Sequence, residues 1–269
     1  MPLVHISDPK DPRLAAYRGV ADPELLVAHG LFVVEGRLVV RRLLLESPFE
    51  TASVLVTGRG LVALDDMPDE RTRDLPVYVV PQAVMNTVSG FNLHRGCLAV
   101  GIRPAPLGLE RLAGGFGAGA RVLVLEGVSN PDNVGGIFRC AAALGAGWIV
   151  LGPGCGDPLY RKAIRTSIGT TLTVPFAQAG AWPDALGVLR QAGLTMVALT
   201  PASTAPDLRD VGRELPHRAP LALLVGAEGP GLSPAALAAA DVRARIPIAP
   251  GVDSLNVTVA AAIALHALR

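Results

Sequence analysis

Aromatic side chains are scarce, at 4% of the 269 residues, and lysine occurs only at Lys10 and Lys162. So few rings leave Leu, Val and Ala to build any core. The shortage of lysine hands the positive charge to arginine, the mark of GC-rich coding that favours Ala, Gly, Pro and Arg together. No arginine is therefore notable for its type alone. The formal net charge of +1 excludes a global attraction to nucleic acid and leaves that work to local patches. Cys97, Cys140 and Cys155 form no CxxC pair, which argues against structural disulfides and fits a reducing cytosol. The five histidines show no metal-ligand spacing, so no metal is expected. The opening MPLVHISDPKDPR lacks the apolar stretch of a signal peptide, and VTVAAAIALHALR is too short to span a bilayer. The expectation is a soluble, cytoplasmic protein that engages no membrane. The strand-like WIVLGPGCGD carries glycines, but Asp157 stands where the last glycine of a dinucleotide fingerprint would fall. With no Walker lysine either, nicotinamide and nucleotide-phosphate chemistry is disfavoured.

What is present is a chain that is 50% hydrophobic and 17% charged, enough for a substantial core. The Pro- and Gly-rich RPAPLGLERLAGGFGAGA predicts a domain boundary, giving residues 1–103, a linker over 104–119 and residues 120–269. In the first part LFVVEG, SVLVT, VYVV and CLAVGI read as strands, with RLVVRRLLLES and PQAVMNTVS as helices: a small α/β domain. In the second part RVLVLEG, WIVLG, TLTV, TMVALT, LALLVGAEG and RARIPI read as strands. Helices are expected near Val134, Asp157, Trp182 and Ser233, with a last one from Ser254. Near-continuous apolar strands alternating with helices predict a parallel sheet covered on both faces. Ligands of such sheets sit beyond the carboxyl ends of the strands.

Three strand-end loops hold the chemistry. In SNPDNVGGIFRCAAALGAG, Asp132 or Asn133 is expected to cap a helix, and Gly145 to end it. Two glycines in the first turn, each costing about 1 kcal/mol against alanine, leave either a shelf for a ligand beside Arg139 or a close helix contact. LLVGAEGPGLS places the carboxylate of Glu228 in a glycine-rich turn whose backbone amides can hold a small polar ligand; an ordinary turn before a helix capped by Ser233 is the alternative. In IPIAPGVDSLNVTVAAAIALHAL, Ser254 is the expected cap, leaving Asn256 as a polar group that needs a hydrogen-bond partner.

Together, NPDNVGGIFRCAAALGA, LLVGAEGPGLS and IPIAPGVDSLNVTVAAAIALH resemble the three motifs of the SpoU/TrmH family of RNA ribose 2′-O-methyltransferases. FVVEGRLVVRRLL and HRGCLAV are similar to that family's small, ribosomal-protein-like substrate-binding domain. The resemblance implies a SPOUT fold with a C-terminal trefoil knot, a homodimer, and S-adenosylmethionine as cofactor. By motif position it implies cofactor contacts at Thr200, Gly226, Ile246 and Leu255, and a catalytic set of Arg139, Asn133, Glu228, Ser254 and Asn256. Ribosomal RNA is the favoured substrate; transfer RNA, or a non-catalytic RNA-binding role, is the alternative. Phosphate contacts are expected from Arg161, Lys162 and Arg165, and from Arg37 and Arg41.

Overall fold

The computed structural model describes residues 2–18, 27–64, 67, 69–90, 93, 96–112 and 115–268. The strands in chain order are β1 (Leu3–His5), β2 (Leu31–Glu35), β3 (Thr51–Val56), β4 (Val77–Val79), β5 (Cys97–Ile102) and β6 (Arg121–Glu126). They continue as β7 (Trp148–Leu151), β8 (Phe176–Gln178), β9 (Thr195–Leu199), β10 (Leu221–Gly226) and β11 (Val242–Ala244). The principal helices are α1 (Arg37–Leu45), α2 (Gln82–Ser89), α3 (Pro131–Leu144), α4 (Arg161–Thr166) and α5 (Asp184–Gln191). Three more follow: α6 (Leu208–Glu214), α7 (Pro234–Ala239) and α8 (Val257–Ala267).

The chain divides into two compact units, Met1–Ala105 with Pro158–Thr173, and Pro106–Asp157 with Val174–Arg269. The first contains a five-stranded sheet in the order β1-β4-β3-β5-β2. β1, β4 and β3 run parallel, and β5 is antiparallel to both β3 and β2. Leu14, Tyr17, Leu55, Met85 and Leu98 fill its core, and the Tyr17 hydroxyl is satisfied by Ser53 Oγ at 2.7 Å. Helix α4 also belongs to this unit, where it packs on β2. The edge strand β1 has no counterpart among the sequence-based expectations; at three residues it offers too little alternation to be read.

The second unit is built on a six-stranded, all-parallel sheet in the order β11-β9-β10-β6-β7-β8. β10 and β6 are in full register from Leu221↔Arg121 to Gly226↔Glu126, and the middle of each is buried, as a sheet covered on both faces requires. The chain moves outward from β6 through β7 to β8, then returns on the other side, so the order reverses beside β6 and β10. That is the position at which open α/β sheets form a crevice.

Several expected elements shift. TLTV is not a strand: Thr170–Leu172 form a 3₁₀ turn, and the strand is Phe176–Gln178. Gly169 has φ 78°, and the Thr170 hydroxyl donates to the Ser167 carbonyl at 3.2 Å, local bonds that compete with a ladder. β11 covers only the first two residues of the expected RARIPI strand and ends at Ala244. Helices expected near Val134, Asp157, Trp182 and Ser254 begin at Pro131, Arg161, Asp184 and Val257. The Ser233 cap is as expected, its Oγ accepting from Ala236 N at 3.1 Å.

Candidate active site

α3 is opened by Asn130, not by Asp132 or Asn133: the Asn130 side chain accepts from Asp132 N at 2.8 Å, with Pro131 at the first helical position. This releases Asn133 from capping and places it, only 8% exposed, in the first turn. Gly145 ends the helix in the left-handed region, φ 78°, as expected. At Gly136 the choice resolves in favour of helix contact. A Cβ at Gly136 would lie 2.8 Å from Thr258 Cγ2 and 2.9 Å from Thr258 Oγ1, so the space beside it is filled by α8.

α8 is likewise capped by an unexpected residue. Asn256 Oδ1 accepts from Thr258 N at 3.0 Å and from Val259 N at 3.3 Å, whereas Ser254 is exposed in the preceding loop. Asn256 is itself exposed, not buried in the apolar helix start that the sequence suggests. With Oδ1 fixed by two backbone donors, Nδ2 must point the other way. It donates to Asn133 Oδ1 at 2.9 Å and to Glu228 Oε1 at 2.8 Å. Thr258 Oγ1 adds a bond to the Asn133 carbonyl at 3.3 Å. One amide thus ties together the loops after β6, β10 and β11, and leaves no freedom in its own orientation or in that of Asn133. The second oxygen of Glu228 makes no hydrogen bond among the described residues.

Beside this cluster lies a cavity of about 360 Å³, within the range of small-molecule sites. Thr200, Gly226, Ile246 and Leu255, the four positions expected to contact a cofactor, all line it, as do Glu228 and Ser254. Asn133, Asn256 and Arg139 do not. Arg139 is exposed on α3 and makes no ion pair among the described residues. Arg245 and Asp253 also line the cavity, two charged residues with no place among the expected site residues. A third omission is Glu126, the carboxylate that ends the apolar run VLVLE. It is 8% exposed and accepts from Trp182 Nε1 at 2.6 Å and from Ser233 N at 2.8 Å. A single acid closing a buried strand was its signal.

The cations expected to hold RNA lie in the first unit and differ in availability. Arg37 and Arg165 are exposed. Arg161 is bound to Glu35 at 3.1 Å, and Lys162 and Arg41 are half-buried. Their neighbour Arg42 bonds Glu46 at 3.1 Å and donates to the Ile168 carbonyl at 2.6 Å. Among the described residues no group of His, Cys, Asp or Glu could hold a metal, and no helix is long and apolar enough to cross a membrane.

Residues 120–266 match the SpoU rRNA Methylase family. A Mycobacterium tuberculosis protein described as an uncharacterized tRNA/rRNA methyltransferase is 43% identical over 97% of this chain and 90% of its own. The 23S rRNA guanosine 2′-O-methyltransferase RlmP of Bacillus subtilis is 28% identical over 88% of each. The solved AdoMet-bound rRNA methyltransferase of Sinorhizobium meliloti superposes with a TM-score of 0.82 at 24% identity, covering 99% of this chain and 97% of that one, and so shares the fold. With its strand-end loops joined through one amide beside a glycine-lined cavity, the chain belongs to the SpoU rRNA methylase family.

Proposed function

We propose that this protein transfers a methyl group from S-adenosylmethionine to a ribose 2′-hydroxyl of RNA, with ribosomal RNA as the target. The observation that carries this is the bond pattern of Asn256, which brings Asn133 and Glu228 to the edge of the cavity lined by Thr200, Gly226, Ile246 and Leu255. The cavity suits the cofactor chemically. Its size fits, its turns offer backbone donors and acceptors, and Glu228 and Asp253 supply negative charge for a sulfonium and an ammonium group.

When bound, S-adenosylmethionine supplies an already activated methyl group. The protein's own task is then to hold the ribose hydroxyl in line and take up its proton. Glu228 is suited to accept that proton through the oxygen that Asn256 leaves open. Asn133, whose oxygen is committed to Asn256, presents its NH₂ as a donor. The guanidinium of Arg139 serves as a clamp on phosphate and a stabiliser of developing negative charge on oxygen. Ser254 completes the mouth of the cavity.

The segment from Arg245 to Leu255 leaves β11 at one edge of the sheet and returns to α8, which packs on α3; on its way it faces the Ala227–Gly231 loop across the cavity. This course supports a trefoil knot. Val259 and Ile263, 46% and 40% exposed one turn apart on α8, form an apolar stripe that supports a homodimer. Residues 1–103 together with Pro158–Thr173 are assigned as the RNA-binding part, 104–119 as its linker and the remainder of 120–269 as the catalytic part, in a cytoplasmic enzyme. Arg37, Arg41, Arg161, Lys162 and Arg165 are assigned to the RNA backbone.

The test is cofactor titration followed by mapping of ribose methylation in cells with and without the gene. Loss of one ribosomal 2′-O-methyl group is the expected result; a missing transfer-RNA methyl group would reassign the substrate. Arg139→Lys should lower kcat by roughly a hundredfold, about 2.7 kcal/mol of lost stabilisation. Full activity at neutral pH would refute the clamp.

A further inference from the structure

We propose that Glu126 is a positioning residue for the cofactor cavity: its buried carboxylate fixes where the glycine loop after β10 ends. The inference rests on the methyltransferase reading above. It starts from the shape of that loop. At its near end the chain folds back so closely that a Cβ on Gly226 would run into Gly231 and Leu232, and Gly231 N donates to the Ala227 carbonyl at 3.0 Å. The loop is a tight reversal with Gly226, Glu228 and Gly231 on the cavity wall. Its far end is Ser233, where α7 begins.

Ser233 is held twice. Its hydroxyl caps α7, and its backbone N–H donates to Glu126 Oε2 at 2.8 Å. Glu126 stands at the end of β6 directly opposite Gly226 in the ladder, so one residue of β6 flanks the start of the loop and grips its finish. The other oxygen, Oε1, takes the Trp182 indole N–H at 2.6 Å. Trp182 in turn lies against Gly152, where a Cβ would approach Cζ3 to 3.2 Å. Both acceptors of a 92%-buried acid, 8% exposed, are therefore committed, one to each of two loops. Neither contact reaches the cavity, so Glu126 acts through the loop and not on the cofactor.

The carboxylate matters because two N–H donors converge on it. A glutamine of the same shape has one acceptor oxygen and turns an NH₂ group toward the second donor. Either the loop end or the indole must then move, since a buried donor facing a donor is costly. Glu126→Gln should raise the S-adenosylmethionine Kd, read by isothermal titration, by about tenfold. It should raise the cofactor KM in parallel while changing kcat by less than about threefold. Adding Trp182→Phe removes the competing donor, lets the glutamine oxygen serve Ser233 alone, and should recover most of the lost affinity. A purely structural role would lower Tm without this split and without the recovery.

Amide hydrogen exchange over residues 227–233, measured on the protein without cofactor, gives a second readout. Exchange at these positions should quicken in E126Q. Should E126Q fail to fold, Glu126→Asp, which keeps the charge but withdraws the oxygens by one methylene, should show the same loss of affinity and faster exchange. Wild-type affinity together with unchanged exchange in the folded variant overturns the proposal. A wild-type protein that binds no S-adenosylmethionine overturns the methyltransferase reading instead, and exchange then decides the role of Glu126 alone.

Discussion

Asn256 performs two tasks with one side chain, and Asn256→Asp separates them. The oxygen accepts from Thr258 N and Val259 N, capping α8; the nitrogen donates to Asn133 and Glu228. Aspartate caps a helix as well as asparagine does, so the first task survives. The second is reversed, because a carboxylate oxygen replaces a donor that lies 2.8 Å from Glu228 Oε1. Two carboxylates at that separation cannot both stay charged without moving apart or sharing a proton. Loss of a hydrogen bond to a charged group is worth about 1.5–3 kcal/mol, and the displaced carboxylate is the one assigned to take the proton. The expected result is a fall in kcat of about a hundredfold at neutral pH with Tm lowered by about 3–12 °C, taking about 2–4 °C per kcal/mol for a chain of this size. Asn256→Ala, lacking the cap as well, should lose about 1 kcal/mol further stability at similar activity. Thermal unfolding and initial-rate assays on the pair decide the matter. If Asn256→Asp methylates RNA at the wild-type rate, the bridge to Glu228 has no part in the reaction.

Gly136→Val should lower stability by about 1–3 kcal/mol through overpacking against Thr258, whose hydroxyl is tied to the Asn133 carbonyl; wild-type Tm would show that α3 and α8 are not in close contact. Burial pushes the Cys97 thiol up to about 12. At pH 8 roughly one molecule in ten thousand therefore carries its thiolate, and iodoacetamide should leave Cys97 unlabelled in the folded protein, as read by mass spectrometry. The corresponding stability is complete below about pH 8.5, the unfolded value, and is lost as pH rises toward 12. Tm should accordingly fall on the alkaline side, and a Tm that stays level there would contradict the burial of this thiol.

The loops were legible because their surroundings are extreme. Strands such as VLVLE and LALLV are apolar on both faces, so the glycines and polar residues that follow them mark the strand ends unambiguously. Which polar residue does what was less legible. Asn130 and Asn133 are three apart, as Ser254 and Asn256 are two apart, and all are good caps by type; only backbone geometry assigns the cap. The glycine pair of α3 could serve ligand or helix equally, because the partner at Gly136 is Thr258, 122 positions away and invisible to any local pattern. TLTV carries β-branched residues and still turns, since the hydroxyl of Ser167 and the φ of Gly169 organise it from upstream.

Pro158–Thr173 is grouped with Met1–Ala105 although it is encoded between β7 and β8. Anyone wishing to express either half alone would therefore find no single place to cut. A fragment starting after Ala105 keeps Ile164, 1% exposed in the intact chain, without β2, the strand on which its helix packs. Two separate excisions, or a graft that replaces the stretch by a short polar turn, are what a clean dissection demands.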